Sequence, residues 1–166
     1  MTFVRLGGCS VGCPECDTDY RTVEKLDIKE VVQRIENISV SKWVWLTGGE
    51  PMDQDLNELC DLLHQLGKLV AIATSGIKKV PSNWADWISV SPHSTKLVQK
   101  TGQELKIVPG LNGLRLEDVY SIDVNRFENK FIQPLWGIND KECIDFVLNN
   151  PEWRLGIQAH KYWGIK

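Results

Sequence analysis

Short apolar runs alternate along the chain with longer segments whose apolar residues recur every three or four positions. The runs at Thr2–Leu6, Lys42–Leu46, Leu69–Ala73, Trp87–Val90, Glu104–Val108, Lys130–Ile132 and Trp153–Gln158 are rich in Val, Ile and Trp and predict strands buried on at least one face. Ile28, Val31, Val32, Ile35 and Ile38 keep helical spacing, with Asp27 and Glu30 set as a capping box. Leu56, Leu59, Cys60, Leu63 and Leu66 repeat that stripe, opened by Asp55 and Glu58 and stopped by Gly67. A third helix is predicted from Asn139, with Glu142 three residues on, towards Asn150 before Pro151. The stretch from Leu111 to Asn129 has no clean period and reads as one short helix and a turn.

Strand–helix alternation implies an α/β fold with a mainly parallel sheet and right-handed crossovers. Seven strands or fewer are too few for an eight-fold barrel, so a partial, open (β/α) barrel is expected. Ligands of such sheets collect at the carboxyl ends of the strands.

Length and composition narrow this further. The chain has 166 residues, enough for one domain over 1–166, and nothing in it reads as a linker or repeat. Apolar residues make up 42% and charged residues 25%, so a core can form without disulfides. Net charge is −3 with no lysine or arginine run, which excludes an electrostatic footprint for nucleic acid or anionic lipid. No apolar stretch approaches the roughly 20 residues of a membrane span. Met1 to Gly8 is too short and polar for a secretory signal, so a cytoplasmic protein is expected.

Five cysteines in such a chain point to metal or redox use. Cys60 and Cys143 fall on apolar helical faces and are assigned to packing. The other three lie in Gly7-Gly8-Cys9-Ser10-Val11-Gly12-Cys13-Pro14-Glu15-Cys16, directly after the first strand, as C-x3-C-x2-C. Three thiolates on one tight loop suit three irons of a cubane cluster, and no fourth cysteine lies nearby. A zinc knuckle completed by a distant histidine is the competing reading.

The loop resembles that of the radical S-adenosylmethionine family. The resemblance implies a [4Fe-4S] cluster on Cys9, Cys13 and Cys16 whose fourth iron is chelated by S-adenosyl-L-methionine. Electron transfer into the sulfonium then releases a 5′-deoxyadenosyl radical, the cofactor supplying the hard chemistry. Thr47-Gly48-Gly49-Glu50-Pro51 ends the second strand and resembles the family motif that holds the cofactor's amino group, through Gly48, Gly49 and Glu50. Thr74-Ser75-Gly76 and Ser91-Pro92 resemble further cofactor-contacting strand ends, adding Thr74, Ser75 and Ser91.

A more specific likeness is to the 7-carboxy-7-deazaguanine synthases, ring-contracting enzymes of 7-deazapurine and queuosine biosynthesis. It runs through Phe3-Val4-Arg5-Leu6, Cys16-Asp17-Thr18-Asp19, Val90-Ser91-Pro92, Glu104-Leu105-Lys106, Gln133-Pro134, Trp153-Arg154-Leu155 and Gln158-x-His160-Lys161-Tyr162. The resemblance implies a pterin substrate, 6-carboxy-5,6,7,8-tetrahydropterin, held by Arg5, Gln133, His160 and the terminal carboxylate of Lys166. It implies Mg²⁺ on the hydroxyl of Thr18, an external electron donor such as flavodoxin or ferredoxin, and a homodimer. The sequence departs from the family at Ala73 and Ser75, where Glu and Asn are typical, and at His93, where lysine often follows Ser-Pro. It also begins without the upstream Gln-Gly-Glu-Gly strand usual there, which implies altered substrate binding in a shortened chain or a truncated start. The rival functions are a glycyl-radical enzyme activating protein and a non-enzymatic metal-binding module.

Overall fold

The computed structural model describes residues 1–21, 24–38 and 40–164. Seven strands form one sheet, β1 (Thr2–Leu6), β2 (Trp43–Gly48), β3 (Leu69–Thr74), β4 (Trp87–Val90), β5 (Gly102–Ile107), β6 (Phe127–Ile132) and β7 (Arg154–Leu155). Their order in the sheet is their order in the chain, and every pairing is parallel. Right-handed crossovers that always step the same way place the connecting helices on one face of such a sheet. The barrel is left open between β1 and β7, as the strand count requires.

Burial alternates along the strands accordingly. In β2, Val44 and Leu46 are fully buried while Trp43, Trp45 and Thr47 are only half-buried. The buried face of β2 and β3 packs on α1 (Ile28–Ile38) and α2 (Asn57–Gln65) through Val32, Ile35, Leu59, Cys60 and Leu63. A second cluster joins β5 and β6 to α3 (Asp140–Asn149) through Leu105, Ile107, Ile132, Cys143 and Trp153. Ile88 of β4 packs against both clusters. Cys60 and Cys143 are fully enclosed in these clusters, as packing residues.

Helix ends follow local chemistry in two cases and depart from it in one. The Asp27 carboxylate accepts the Glu30 N–H at 2.8 Å, opening α1. Past α2, Gly67 at φ +69° lets its own N–H reach His64 O at 2.9 Å and the Lys68 N–H reach Leu63 O at 3.0 Å. Asn139 precedes α3 without capping it by side chain. Its Oδ1 accepts the Leu135 N–H and its Nδ2 donates to Pro109 O, tying together the loops after β5 and β6.

Two expectations are corrected. The 111–129 stretch is three separate 3₁₀ segments, Leu111–Gly113, Leu116–Ser121 and Val124–Arg126, before β6 begins. Its apolar residues Leu114, Val119, Ile122 and Phe127 are buried at irregular spacing, which no single helix could satisfy. The last strand pairs only through Arg154 and Leu155. Gly156 then lies against Gln133, whose Cβ a side chain there would approach to 2.9 Å, and the chain turns into the one-turn helix α4 (Ala159–Tyr162).

Candidate active site

The site begins where two strand ends touch. Gly49 donates its N–H to Leu6 O at 2.8 Å, and Glu50 donates to Gly8 O at 3.2 Å, so the turn after β2 lies on the root of the cysteine loop. A Cβ at Gly49 would sit 1.6 Å from Gly8 O, and one at Gly48, where φ is +107°, 2.5 Å from Leu6 N. Only glycine permits this approach. The loop is tied again at Ser10, whose N–H and Oγ both donate to the Asp53 carboxylate, at 2.7 and 2.9 Å. Lys78 Nζ donates to the same carboxylate at 2.9 Å, and Gln54 Nε2 donates to Gly7 O. Burial raises the Asp53 carboxyl, but Lys78 and the two Ser10 donors outweigh it and hold the group below its ordinary value.

Glu50 is nearly inaccessible, at 2% exposure. Its Oε1 accepts from the Met52 N–H and Thr74 Oγ1, and its Oε2 from the Ser75 N–H and Ser75 Oγ. A carboxylate has about four acceptor positions. The chain's own donors take four, so the charge is compensated internally and the ends of β2 and β3 are clamped together.

All three loop cysteines line one cavity of about 210 Å³, and all three are free thiols. Thr18, Gly48, Gly49, Glu50, Thr74, Ser75, Ser91 and Gln133 line it too. The residues around it come from the carboxyl ends of β1 to β6 and, through Gln158, from the segment after β7. Burial, with the neighbouring charges of Cys16, Cys9 and Glu15, pushes the Cys13 thiol up to about 11. In the metal-free chain it is therefore a thiol, and a bound metal would have to displace its proton. Among the described residues no three His, Cys, Asp or Glu side chains converge to hold a single metal ion. A cubane cluster makes a different demand, since each thiolate binds its own iron at a separate corner. Three free thiols around one cavity fit that group.

Three neighbours of the loop escaped sequence reasoning as members of the site. His93, after β4, places Nδ1 2.5 Å from Cys13 Sγ. Burial holds its imidazole below the ordinary value, with Lys106 acting in the same direction and Glu50 against it. Asn112 donates its N–H to the Glu15 carboxylate, and Asp53 anchors Ser10 as described. His93 and Asp53 stand beside the Ser-Pro and glycine-turn motifs and Asn112 beside none; what brings all three to the cysteine loop is a strand order that only the sheet reveals.

The remaining sequence-predicted residues are dispersed. Arg5 is exposed on β1 with its guanidinium 5.9 Å from the Phe3 ring centroid. It lines a separate cavity of about 800 Å³ along β1 and α1, which shares Cys9 with the smaller one. His160 is exposed on α4 and lines neither cavity, but its charge helps lower the Asp17 carboxyl. Burial raises that carboxyl, and hydrogen bonds from Lys161 and Gln158 more than offset it. The C-terminal segment is thereby strapped to the residue after Cys16. Lys166 lies outside the described residues.

No family model matches the chain. Individual relatives do. The chain is 32% identical to the 7-carboxy-7-deazaguanine synthase of Bacteroides thetaiotaomicron, over 99% of its own length and 87% of that protein's. It is 34% identical to the enzyme of that name from Burkholderia multivorans, over 98% of this chain and 88% of the relative. The crystal structure of QueE from Escherichia coli superposes with a TM-score of 0.69 at 26% identity, covering 94% of this chain and 84% of that one. With identity above 30% over nearly its whole length, the chain belongs to the 7-carboxy-7-deazaguanine synthase family.

Proposed function

We propose that the chain converts 6-carboxy-5,6,7,8-tetrahydropterin to 7-carboxy-7-deazaguanine with loss of ammonia. The observation that supports it most is the single cavity lined by Cys9, Cys13 and Cys16 at the carboxyl ends of the strands. In this reading the three cysteines hold a [4Fe-4S] cluster. When bound, that cluster supplies the electron that cleaves S-adenosyl-L-methionine and so provides the hydrogen-abstracting radical.

The chain's residues bind and orient. Gly48, Gly49, Thr74, Ser75 and Ser91 contact S-adenosyl-L-methionine. Because the four acceptor positions of the Glu50 carboxylate are taken within the chain, backbone carbonyls of the turn meet the cofactor's ammonium, and Glu50 sets the turn's position. Arg5 suits a substrate carboxylate because its guanidinium is a planar two-pronged donor. Gln133 faces the cavity with a side-chain amide for the pterin edge, and His160 is assigned to the pterin from its place on α4, two residues after the cavity-lining Gln158. Thr18 offers a hard oxygen to Mg²⁺, which keeps waters and takes substrate oxygens as further ligands. Product and ammonia together account for every atom of the substrate, so the hydrogen removed must be returned within one turnover. We further assign a low-potential flavodoxin or ferredoxin as electron donor, a homodimeric state and a cytoplasmic location; among the described residues no helix is long and apolar enough to cross a membrane.

Anaerobic reconstitution with iron and sulfide, followed by dithionite, S-adenosyl-L-methionine, Mg²⁺ and the carboxytetrahydropterin, tests this. Mass spectrometry is expected to find 7-carboxy-7-deazaguanine, with turnover falling when Mg²⁺ is omitted and abolished in Cys13→Ala. 5′-Deoxyadenosine without the deazaguanine would remove the substrate assignment and keep the radical chemistry.

A further inference from the structure

The chain carries a histidine in direct contact with one of the three cysteines that the proposed function assigns to the cluster. His93 reaches it from a different strand end, and two hydrogen bonds fix where it stands. Its Nδ1 faces Cys13 Sγ, and its backbone carbonyl accepts from Asn112 Nδ2 at 3.0 Å. The same Asn112 donates its backbone N–H to Glu15 Oε2 at 3.0 Å, within the cysteine loop itself. One residue therefore holds both the loop that carries Cys13 and the segment that carries His93. Asn112 does so at φ +51°, the only positive φ of a non-glycine among the described residues. Asparagine tolerates that region better than other side chains, and here both of its hydrogen bonds serve this junction.

The geometry points to His93 as a hydrogen-bond donor to the Cys13 thiolate that raises the reduction potential of the bound cluster. The inference rests on the proposed cluster site and adds a residue whose role neither the cysteine motif nor the glycine turn supplies. The imidazole has one N–H in its neutral form; a thiolate bound to iron has no proton to give, so Nδ1 facing it is satisfied only by the tautomer with hydrogen on Nδ1. Reduction adds negative charge to the cluster and its thiolates. A donor aimed at one sulfur stabilises the reduced state more than the oxidised one, so its removal makes reduction harder. Carbon from a phenyl ring at the same place would fill the volume and offer no proton.

The test is an EPR-monitored redox titration of the reconstituted chain without S-adenosyl-L-methionine, with iron and sulfide counted per chain. His93→Phe is expected to assemble the same cluster with a lower midpoint potential. A tenfold loss in the reduction equilibrium corresponds to about 59 mV for a one-electron couple. His93→Gln, which returns an N–H near the sulfur, is expected to recover most of the shift. An unchanged potential in His93→Phe overturns the inference, as does an equal drop in both variants, which would assign the effect to packing. Loss of iron from both variants also overturns it, because His93 would then be a ligand. A parent chain that assembles no cluster overturns the cluster site and this inference together.

Discussion

At the residue scale the cysteine loop depends on a carboxylate that contributes no atom to it. Asp53 takes both donors of Ser10 and the Lys78 ammonium, and it is held below the ordinary carboxyl range by those partners. Asp53→Asn puts an amide donor where the chain presents donors, and is expected to cost about 1–2 kcal/mol at neutral pH. The sign of the pH dependence follows from the lowered folded value. The stabilisation is complete above the unfolded carboxyl pKa of 3.8 and is lost as pH falls through the lower folded value. Urea midpoints of parent and variant should therefore differ by a constant amount from neutrality to about pH 4 and converge below it. A gap that already closes between pH 7 and 5 would show that another group governs the loop.

At the element scale, the ends of β2 and β3 are joined by Glu50 rather than by more ladder. The β2–β3 pairing stops at Leu46 and Ile72, and beyond it the carboxylate accepts donors from Thr74 and Ser75. Glu50→Gln turns one of the two oxygens into a donor facing donors, a buried conflict expected to cost about 2–3 kcal/mol in the metal-free chain. Urea denaturation of the chain without cluster or S-adenosyl-L-methionine measures this. Full stability with loss of S-adenosyl-L-methionine binding alone would mean that Glu50 acts on the cofactor and not as a clamp. The glycine turn next to it was legible in the sequence as a motif, but its physical necessity was not. That comes from the 1.6 Å approach of Gly8 O to a Cβ at Gly49, between residues 41 positions apart in the chain.

At the scale of the whole molecule, the C-terminal segment crosses back to the cysteine loop. Lys161 pairs with Asp17 while its ammonium lies 5.8 Å from the Trp136 ring centroid, and Trp136 meets Tyr162 edge-on at 4.6 Å. Half-exposed ion pairs contribute little to global stability, so Lys161→Ala should cost no more than about 1 kcal/mol. Its effect should be local. Amide exchange over residues 158–164 is expected to quicken, and the KM for the pterin to rise several-fold with little change in its kcat. Unchanged exchange in that segment would show that the strap is held by the aromatic contacts instead.

Apolar runs located all seven strands, helical spacing two helices and end signals a third, because burial and capping mark the chain locally; the one-turn α4 carries neither signal and went unread. The same elements also set the sheet as parallel and the barrel as incomplete, since strand–helix alternation with right-handed crossovers admits few other solutions. The cysteine spacing and the glycine turn are local in the chain, so the cluster loop and the cofactor turn were legible as well. Two kinds of feature were not. Where tertiary packing buries residues without a period, as at Leu114, Val119, Ile122 and Phe127, the 3₁₀ segments could not be told from a short helix. Contacts between distant strand ends were invisible, so the roles of His93, Asn112, Asp53 and Lys161 emerged only when the sheet order brought those ends together. Arg5 and His160 are assigned to the substrate by likeness in sequence alone; neither lines the cavity that all three cysteines share, and Arg5 lines the adjoining one together with Cys9. A sequence encodes the partners of a residue along the chain directly, whereas its partners across the sheet exist only once every strand has found its place.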